Sequence, residues 1–400
     1  MTKSILFVIN TLGRAGAETA LLELLKQFRG EAYEVDLFVL MGQGELIEQL
    51  PEHVHLLNPH FSPVSVLAKR GRLHMLRRVC TCGLRRGTML RLFPYLCRNL
   101  WRMLRKGRVM TDKLMWRVLS DGAERFEKEY DLAVAYIEGG SAYYISDHVK
   151  ARKKAAFIHI DYEYAGYTRA LDKDCYVGFD RLFPISEETK QGFLKAYPEC
   201  ADRTEVFHNI VDSESILQKA SLPGGFTDAF DGIRILTVGR LNKQKSYPTA
   251  IRTMKLLKDA GIRARWYVCG EGEERKSLEQ LIESLGLKED FVLLGAVSNP
   301  YPYYRQTDYY VHATLFEGKS IAIQEAQILG CRIIVSDCTG NRQQVEHNVD
   351  GIICELKEEA LRDELISLIQ NPQKGNRLAE EAAKKRTSYE KDVALLMELL

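Results

Sequence analysis

The chain has 400 residues, 46% hydrophobic and 28% charged, with a formal net charge of +2. That length suits two domains of roughly 200 residues, each able to bury a core, and the composition is that of an ordinary soluble protein. It excludes a membrane span, since no stretch approaches the eighteen or so apolar residues one needs.

The nine cysteines show no metal-type spacing with histidines, and only Cys80 and Cys82 lie close together. They read as reduced, cytosolic thiols. The apolar run near Met1 is only five residues long, too short for a signal peptide.

Ser4 to Asn10 is a continuous apolar run of buried-strand length, followed by a turn with Gly13, Gly16 and Glu18 and an amphipathic helix through Phe28. The glycines let backbone approach a ligand, and the helix start offers free amides. Many doubly wound domains use glycine there simply to turn. Val35 to Leu40 and Val54 to Leu57 read as the next strands of a parallel sheet.

Between Lys69 and Ser120 stand fifteen basic residues and one acid, Asp112, a net +14 that leaves −12 on the rest of the chain. Leu73, Leu76, Leu90, Phe93, Trp101 and Leu104 interleave with the arginines at roughly helical spacing. Basic helices with aromatic and aliphatic residues fit an anionic membrane surface. The plainer alternative is a solvated insert with snorkelling arginines. No nucleic-acid partner is expected, because nothing else resembles a nucleic-acid motif.

Strands are expected at Asp131 to Tyr136, Ala155 to Ile158, Phe183 to Ser186 and Thr204 to Phe207. Ligands collect beyond the carboxyl ends of such strands, so the polar residues there are the ones to watch, and His159 is the best placed of the nine histidines. A satisfied structural histidine is the competing reading of His159. Leu222-Pro-Gly-Gly225 reads as the link between halves.

The opening pattern then repeats. Ile233 to Val238 leads into a glycine turn carrying Arg240 and Lys245, with a helix from about Pro248 to Leu257. Two cations at a helix start suit a diphosphate. Further strands end at Gly270, at the turn from Gly295 to Val297, and at His312.

Ser320 is placed to cap a helix running to Gly330, with Glu317 in the preceding loop and Glu325 inside. The two carboxylates are expected to approach one spot, beside exposed amides of residues 318 to 321 suited to phosphate. Together these features point to a nucleotide-sugar site.

Four motifs in order, Gly13-x-x-Gly16-Ala17-Glu18, Gly239-Arg240-Leu241 with Lys245, Gly270-Glu271-Gly272 and Glu317-x7-Glu325, make the chain resemble a GT-B-fold glycosyltransferase of the large retaining family 4. The resemblance implies an α/β architecture of two Rossmann-like domains facing each other across a cleft. An N-terminal acceptor domain would span 1–215, with a basic helical insert at about 62–120. A donor domain would span 225–385, and a helix at 386–400 would return to the first domain.

By the same resemblance Arg240 and Lys245 bind the donor diphosphate, Glu325 the ribose, and Glu317 with Gly318, Lys319, Ser320 and Ile321 the transferred sugar. Gly16 approaches the distal phosphate, Gly270 belongs to the donor site, and Gly295 and Val297 hold the base. His159, Arg240, Lys245 and Glu317 are the catalytic set. Gly318-Lys319-Ser320 departs from the family's usual Gly-Phe-Gly, adding a cation near the sugar.

The implied activity is transfer, with retention, of a hexosyl-type sugar from a nucleoside-diphosphate sugar, a UDP-sugar by expectation, with no metal or other cofactor. The acceptor would be lipid-linked or a polysaccharide of the bacterial cell surface. The enzyme would be cytoplasmic, peripheral on the inner face of the membrane through about 69–118. A GT-B nucleotide-sugar epimerase and an inactive nucleotide-sugar-binding partner are the alternatives.

Overall fold

Uninterrupted Val, Ile, Leu and Phe runs form strands buried on both faces, and parallel sheets covered by helices result. In the computed structural model, which describes residues 2–66, 68–105, 107, 109–160, 162, 165–385 and 389–400, the chain divides into two units. Unit 1 is Met1–Ile210 with Tyr389–Leu400, and unit 2 is Val211–Ser388.

Unit 1 holds β1 (Lys3–Ile9), β2 (Tyr33–Val39), β3 (Val54–Leu56), β4 (Glu129–Ala135), β5 (Lys150–Ile158) and β6 (Arg181–Pro184). They form a six-stranded sheet in the order β3-β2-β1-β4-β5-β6. All its pairings are parallel. Alternate residues point to opposite faces. Ile5, Phe7 and Ile9 enter one core with Phe157 and Phe207, while Leu6 and Val8 enter the other with Tyr144 and Tyr176. The helix Glu390–Met397 adds Val393 and Leu396 to the first of these cores.

Unit 2 holds β7 (Ile233–Val238), β8 (Ala264–Cys269), β9 (Phe291–Gly295), β10 (Tyr309–His312), β11 (Ile333–Ser336) and β12 (Ile352–Cys354). Their order, β12-β11-β10-β7-β8-β9, repeats the winding of unit 1. The chain passes into unit 2 after Ile210, so the helix Ser213–Ala220 belongs there. Leu222-Pro-Gly-Gly225, expected to link the halves, instead lies inside unit 2. The helix ends at Ala220, before this segment, and Gln306 pins the turn, donating to the Gly224 carbonyl at 3.0 Å and accepting from the Phe226 amide at 2.9 Å.

The basic stretch forms the helices Lys69–Leu84, Thr88–Arg105 and Thr111–Gly122. Gly122 is where the third meets the first: a Cβ there would lie 2.0 Å from the Cys82 carbonyl oxygen. Three acids beyond the stretch pair with four of its cations. Arg78 and Arg85 pair with Glu124, Arg91 with Asp121, and Arg117 with Asp147. Arg117 is 1% exposed and lies over the Tyr143 ring.

Lys69, Arg70, Arg72, Arg77, Arg98, Arg102 and Arg105 remain exposed. So do Leu73, Leu76, Leu84, Leu90, Phe93, Trp101 and Leu104. Leu67, Lys106 and Arg108 of the stretch, and residues 386–388 of the expected returning segment, lie outside the described residues. Among the described residues no helix is long and apolar enough to cross a membrane.

Candidate functional site

At the carboxyl end of β7, Gly239 and Arg240 lead into a short turn, Lys243–Lys245, and the helix Tyr247–Asp259. Strand ends crowd here. A Cβ on Gly270, just after β8, would sit 1.9 Å from the Gly239 carbonyl oxygen, so only glycine lets the two backbones meet. Gly270 also donates its amide to the Gly295 carbonyl at 2.8 Å, and Gly295 has φ +84°. Val297 is partly buried against the neighbouring core.

The turn is stapled to the loop after β10. Leu315 N donates to the Gln244 carbonyl at 2.8 Å, and Gln244 Nε2 donates to the Phe316 carbonyl at 2.9 Å. This fixes Lys245 against Glu317, and the two form an ion pair with side chains only 14% exposed. His312 completes the cluster: its Nε2 is 2.9 Å from Glu317 Oε2 and 3.1 Å from Lys245 Nζ.

Burial alone would raise the Glu317 carboxyl. The Lys245 charge and the bonds from His312 and Lys245 override it and hold the group at about 2. Arg240 is exposed, and its guanidinium has no partner among the described residues.

Gly318 to Ser320 is held by the helix Thr339–Gln344. A Cβ on Gly340 would lie 2.1 Å from the Glu317 carbonyl oxygen, so the loop rests on that glycine. Of the amides expected to be open to phosphate, that of Ser320 is already taken, donating to Gln344 Oε1 at 2.6 Å. Ser320 stands at the N-cap of Ile321–Ile328 without a side-chain capping bond.

Glu317 and Glu325 have different partners rather than a common one. Glu325, 7% exposed, accepts from Tyr301 at Oε1 and Tyr304 at Oε2, each at 3.0 Å. Burial pushes its carboxyl up to about 7 against the lowering effect of both tyrosines. Tyr304 has one proton and two neighbours, Glu325 Oε2 and the Ala322 carbonyl at 3.2 Å. A protonated Glu325 resolves this by donating to Tyr304, which then donates to Ala322.

In unit 1, Gly16 opens the helix Gly16–Leu25. His159 follows β5, and its amide donates to Glu138 Oε2 at 2.9 Å. Its ring packs beside Tyr136 and Phe157, and its Nε2 is buried with no partner among the described residues. Burial lowers its imidazole to about 4, so it is neutral near pH 7. Glu138 is also tied to β1, its carbonyl accepting from Asn10 Nδ2 at 3.2 Å. Burial pushes the Glu138 carboxyl up, against the bond from His159.

His312, Tyr301, Tyr304 and Gln344 in unit 2, and Asn10 in unit 1, are the residues that sequence reasoning missed. Tyr301 and Tyr304 share a helix face at i, i+3, which was a legible signal, but nothing in the sequence connected them to Glu325. Among the described residues no group of three or more His, Cys, Asp or Glu is arranged to hold a metal.

The fold is GT-B: the chain aligns with the Anabaena Alr3699/HepE structure in complex with UDP and glucose at TM-score 0.66 and 16% identity, covering 98% of each chain. Residues 229–385 match the family described as Glycosyl transferases group 1.

It is 30% identical over 185 residues to the N-acetylgalactosamine-N,N'-diacetylbacillosaminyl-diphospho-undecaprenol 4-alpha-N-acetylgalactosaminyltransferase of Campylobacter jejuni, covering 46% of this chain and 49% of that one. It is 30% identical over 186 residues to the UDP-Gal:alpha-D-GlcNAc-diphosphoundecaprenol alpha-1,3-galactosyltransferase of Escherichia coli, covering 44% and 48%. The chain thus spans about half the length of these curated relatives.

The Glu325 geometry makes a pH prediction. A carboxyl raised from 4.5 to about 7 contributes stability that is complete below 4.5 and lost as pH rises through about 7. Between pH 5 and pH 8 this loss is expected to be on the order of 2 kcal/mol. Glu325→Gln should flatten the profile and exceed wild type at pH 8 in urea unfolding of unit 2. Identical profiles would show that Glu325 ionises normally.

Proposed function

We propose that the chain is a retaining glycosyltransferase that moves a hexosyl-type sugar from a nucleoside-diphosphate sugar, with UDP the expected nucleotide, to a lipid-linked acceptor in bacterial cell-surface polysaccharide assembly. The observation that carries this is the Lys245–Glu317 pair, stapled beside the exposed Arg240 at the start of a helix. The relatives named as acting on diphospho-undecaprenol substrates support the lipid-linked acceptor.

In the proposed reaction Arg240 and Lys245 receive the charge that builds on the departing diphosphate. Glu317 and the backbone of Gly318 to Ile321 face the transferred sugar, and Glu325 takes the ribose hydroxyls. In unit 1, neutral His159 with its unpartnered Nε2 is proposed to serve the acceptor. The acceptor hydroxyl attacks the anomeric carbon on the face that the phosphate leaves, and the phosphate oxygen takes its proton. Charge compensation is assigned to the two side-chain cations rather than to a metal.

The exposed arginines and apolar side chains of the 69–105 helices are proposed to rest on the anionic inner face of the cytoplasmic membrane. Arg78 and Arg117 are paired and largely buried and are not part of that surface, while Arg85 and Arg91 are paired but exposed.

Two measurements test these assignments. Arg240→Ala removes an exposed side chain with no described partner, so its melting temperature should match wild type while donor turnover falls by about 10²-fold or more. Near-normal turnover would remove Arg240 from the site. Replacing Arg70, Arg77, Arg98 and Arg102 together with Gln should weaken binding to phosphatidylserine-containing vesicles by on the order of 10³-fold, at about 1 kcal/mol per charge. Sedimentation with vesicles as strong as wild type would contradict the membrane assignment.

A further inference from the structure

His312 ends β10 among groups that a buried strand residue does not ordinarily meet. It is 1% exposed. One nitrogen, Nε2, faces a carboxylate and an ammonium together, Glu317 Oε2 at 2.9 Å and Lys245 Nζ at 3.1 Å. The other, Nδ1, is 3.0 Å from the Tyr310 hydroxyl.

These are the titratable groups around the ring: Lys245 from the 243–245 turn, Glu317 from the loop, and Tyr310 on its own strand, with Tyr304 stacked behind Tyr310. From β7 and β11 come only hydroxyls, Thr237 bonded to the Val311 carbonyl and Ser336 to the Thr314 carbonyl.

In the free protein a neutral imidazole suffices. Lys245 neutralises Glu317, and either neutral tautomer is satisfied: a proton on Nε2 goes to Glu317 while Tyr310 donates to Nδ1, and a proton on Nδ1 goes to Tyr310 while Nε2 accepts from Lys245. Burial and the Lys245 charge both hold His312 below its usual value, outweighing the pull of Glu317. A diphosphate on Lys245 changes this balance. The ammonium that opposed imidazolium turns to the phosphates, and Glu317 is left as a buried carboxylate without its cation, which is strongly unfavourable.

We propose that His312 is a positioning residue that takes up a proton from solvent and replaces Lys245 as the counter-charge of Glu317 when Lys245 engages the donor diphosphate. This rests on the donor-binding role proposed above for Lys245. Tyr310 fits both states, because its hydroxyl donates to a bare Nδ1 and accepts from a protonated one. A permanent cation in place of His312 would repel Lys245 in the free protein, and an aliphatic residue would leave Glu317 bare once Lys245 turned away. A titratable ring meets both requirements. Glu317 thereby keeps its place against the sugar while Lys245 is engaged.

The test uses the full chain with UDP and GDP as probes. Long-range ¹H–¹⁵N spectra of imidazole-labelled protein at pH 7.5, assigned by the signal missing in His312→Gln, should show His312 neutral when free and doubly protonated when nucleotide is bound. In calorimetry His312→Leu should bind nucleotide about 10- to 100-fold more weakly than wild type. His312→Gln, whose amide still donates to Glu317, should recover part of that loss.

An imidazole with the same protonation in free and bound protein would overturn the inference. So would wild-type affinity in His312→Leu. If that variant does not fold, the wild-type spectra and the Gln variant still decide. Wild-type protein that binds neither UDP nor GDP would overturn the donor-binding role itself, and the inference with it.

Discussion

The ion pair between Lys245 and Glu317 is the interaction on which the candidate site depends. Two side chains from segments 72 positions apart are brought together largely out of water. Such a pair persists only where the backbone leaves no alternative. Here Gln244 bonds to the Leu315–Phe316 loop in both directions, and Gly340 lets the Glu317–Gly318 backbone settle onto the following helix. The cation is presented by the fold, as the proposed diphosphate-binding role requires.

Glu325 answers a different problem. It is buried on a helix whose neighbours are apolar, and two tyrosines from the helix Tyr301–Gln306 satisfy its oxygens. A carboxyl that titrates near neutrality is ready to accept from hydroxyl donors, since each new donor favours the ionised form. In unit 1 the buried ends of β1, β4 and β5 are tied together by Asn10, Glu138 and His159, leaving one imidazole nitrogen of His159 to spare.

Much of the fold was legible because buried parallel strands announce themselves as apolar runs, and Ser4 to Asn10 and Ile233 to Val238 each led into glycine turns. Partnerships were less legible. Glu317 and Glu325 looked convergent by spacing, yet their bonding partners come from elements distant in sequence. His312 looked like a plain strand end, because nothing local reveals what a side chain meets across a turn.

The +14 excess of residues 69–120 overstated the unpaired charge, since Asp121 and Glu124 lie just outside that window and Asp147 pairs into it from further along the chain. Leu222-Pro-Gly-Gly225 has the composition of a linker, but it is a turn pinned by Gln306. Composition reports that a helix stops and does not report what holds the chain afterwards.

The most direct test of the account is a crystal structure of the full chain soaked with a UDP-sugar. The account predicts diphosphate oxygens within hydrogen-bonding distance of both Lys245 Nζ and the Arg240 guanidinium, with the ribose hydroxyls on Glu325. A nucleotide bound elsewhere, or one bound with Lys245 still paired to Glu317 and Glu325 out of reach of the ribose, would contradict it.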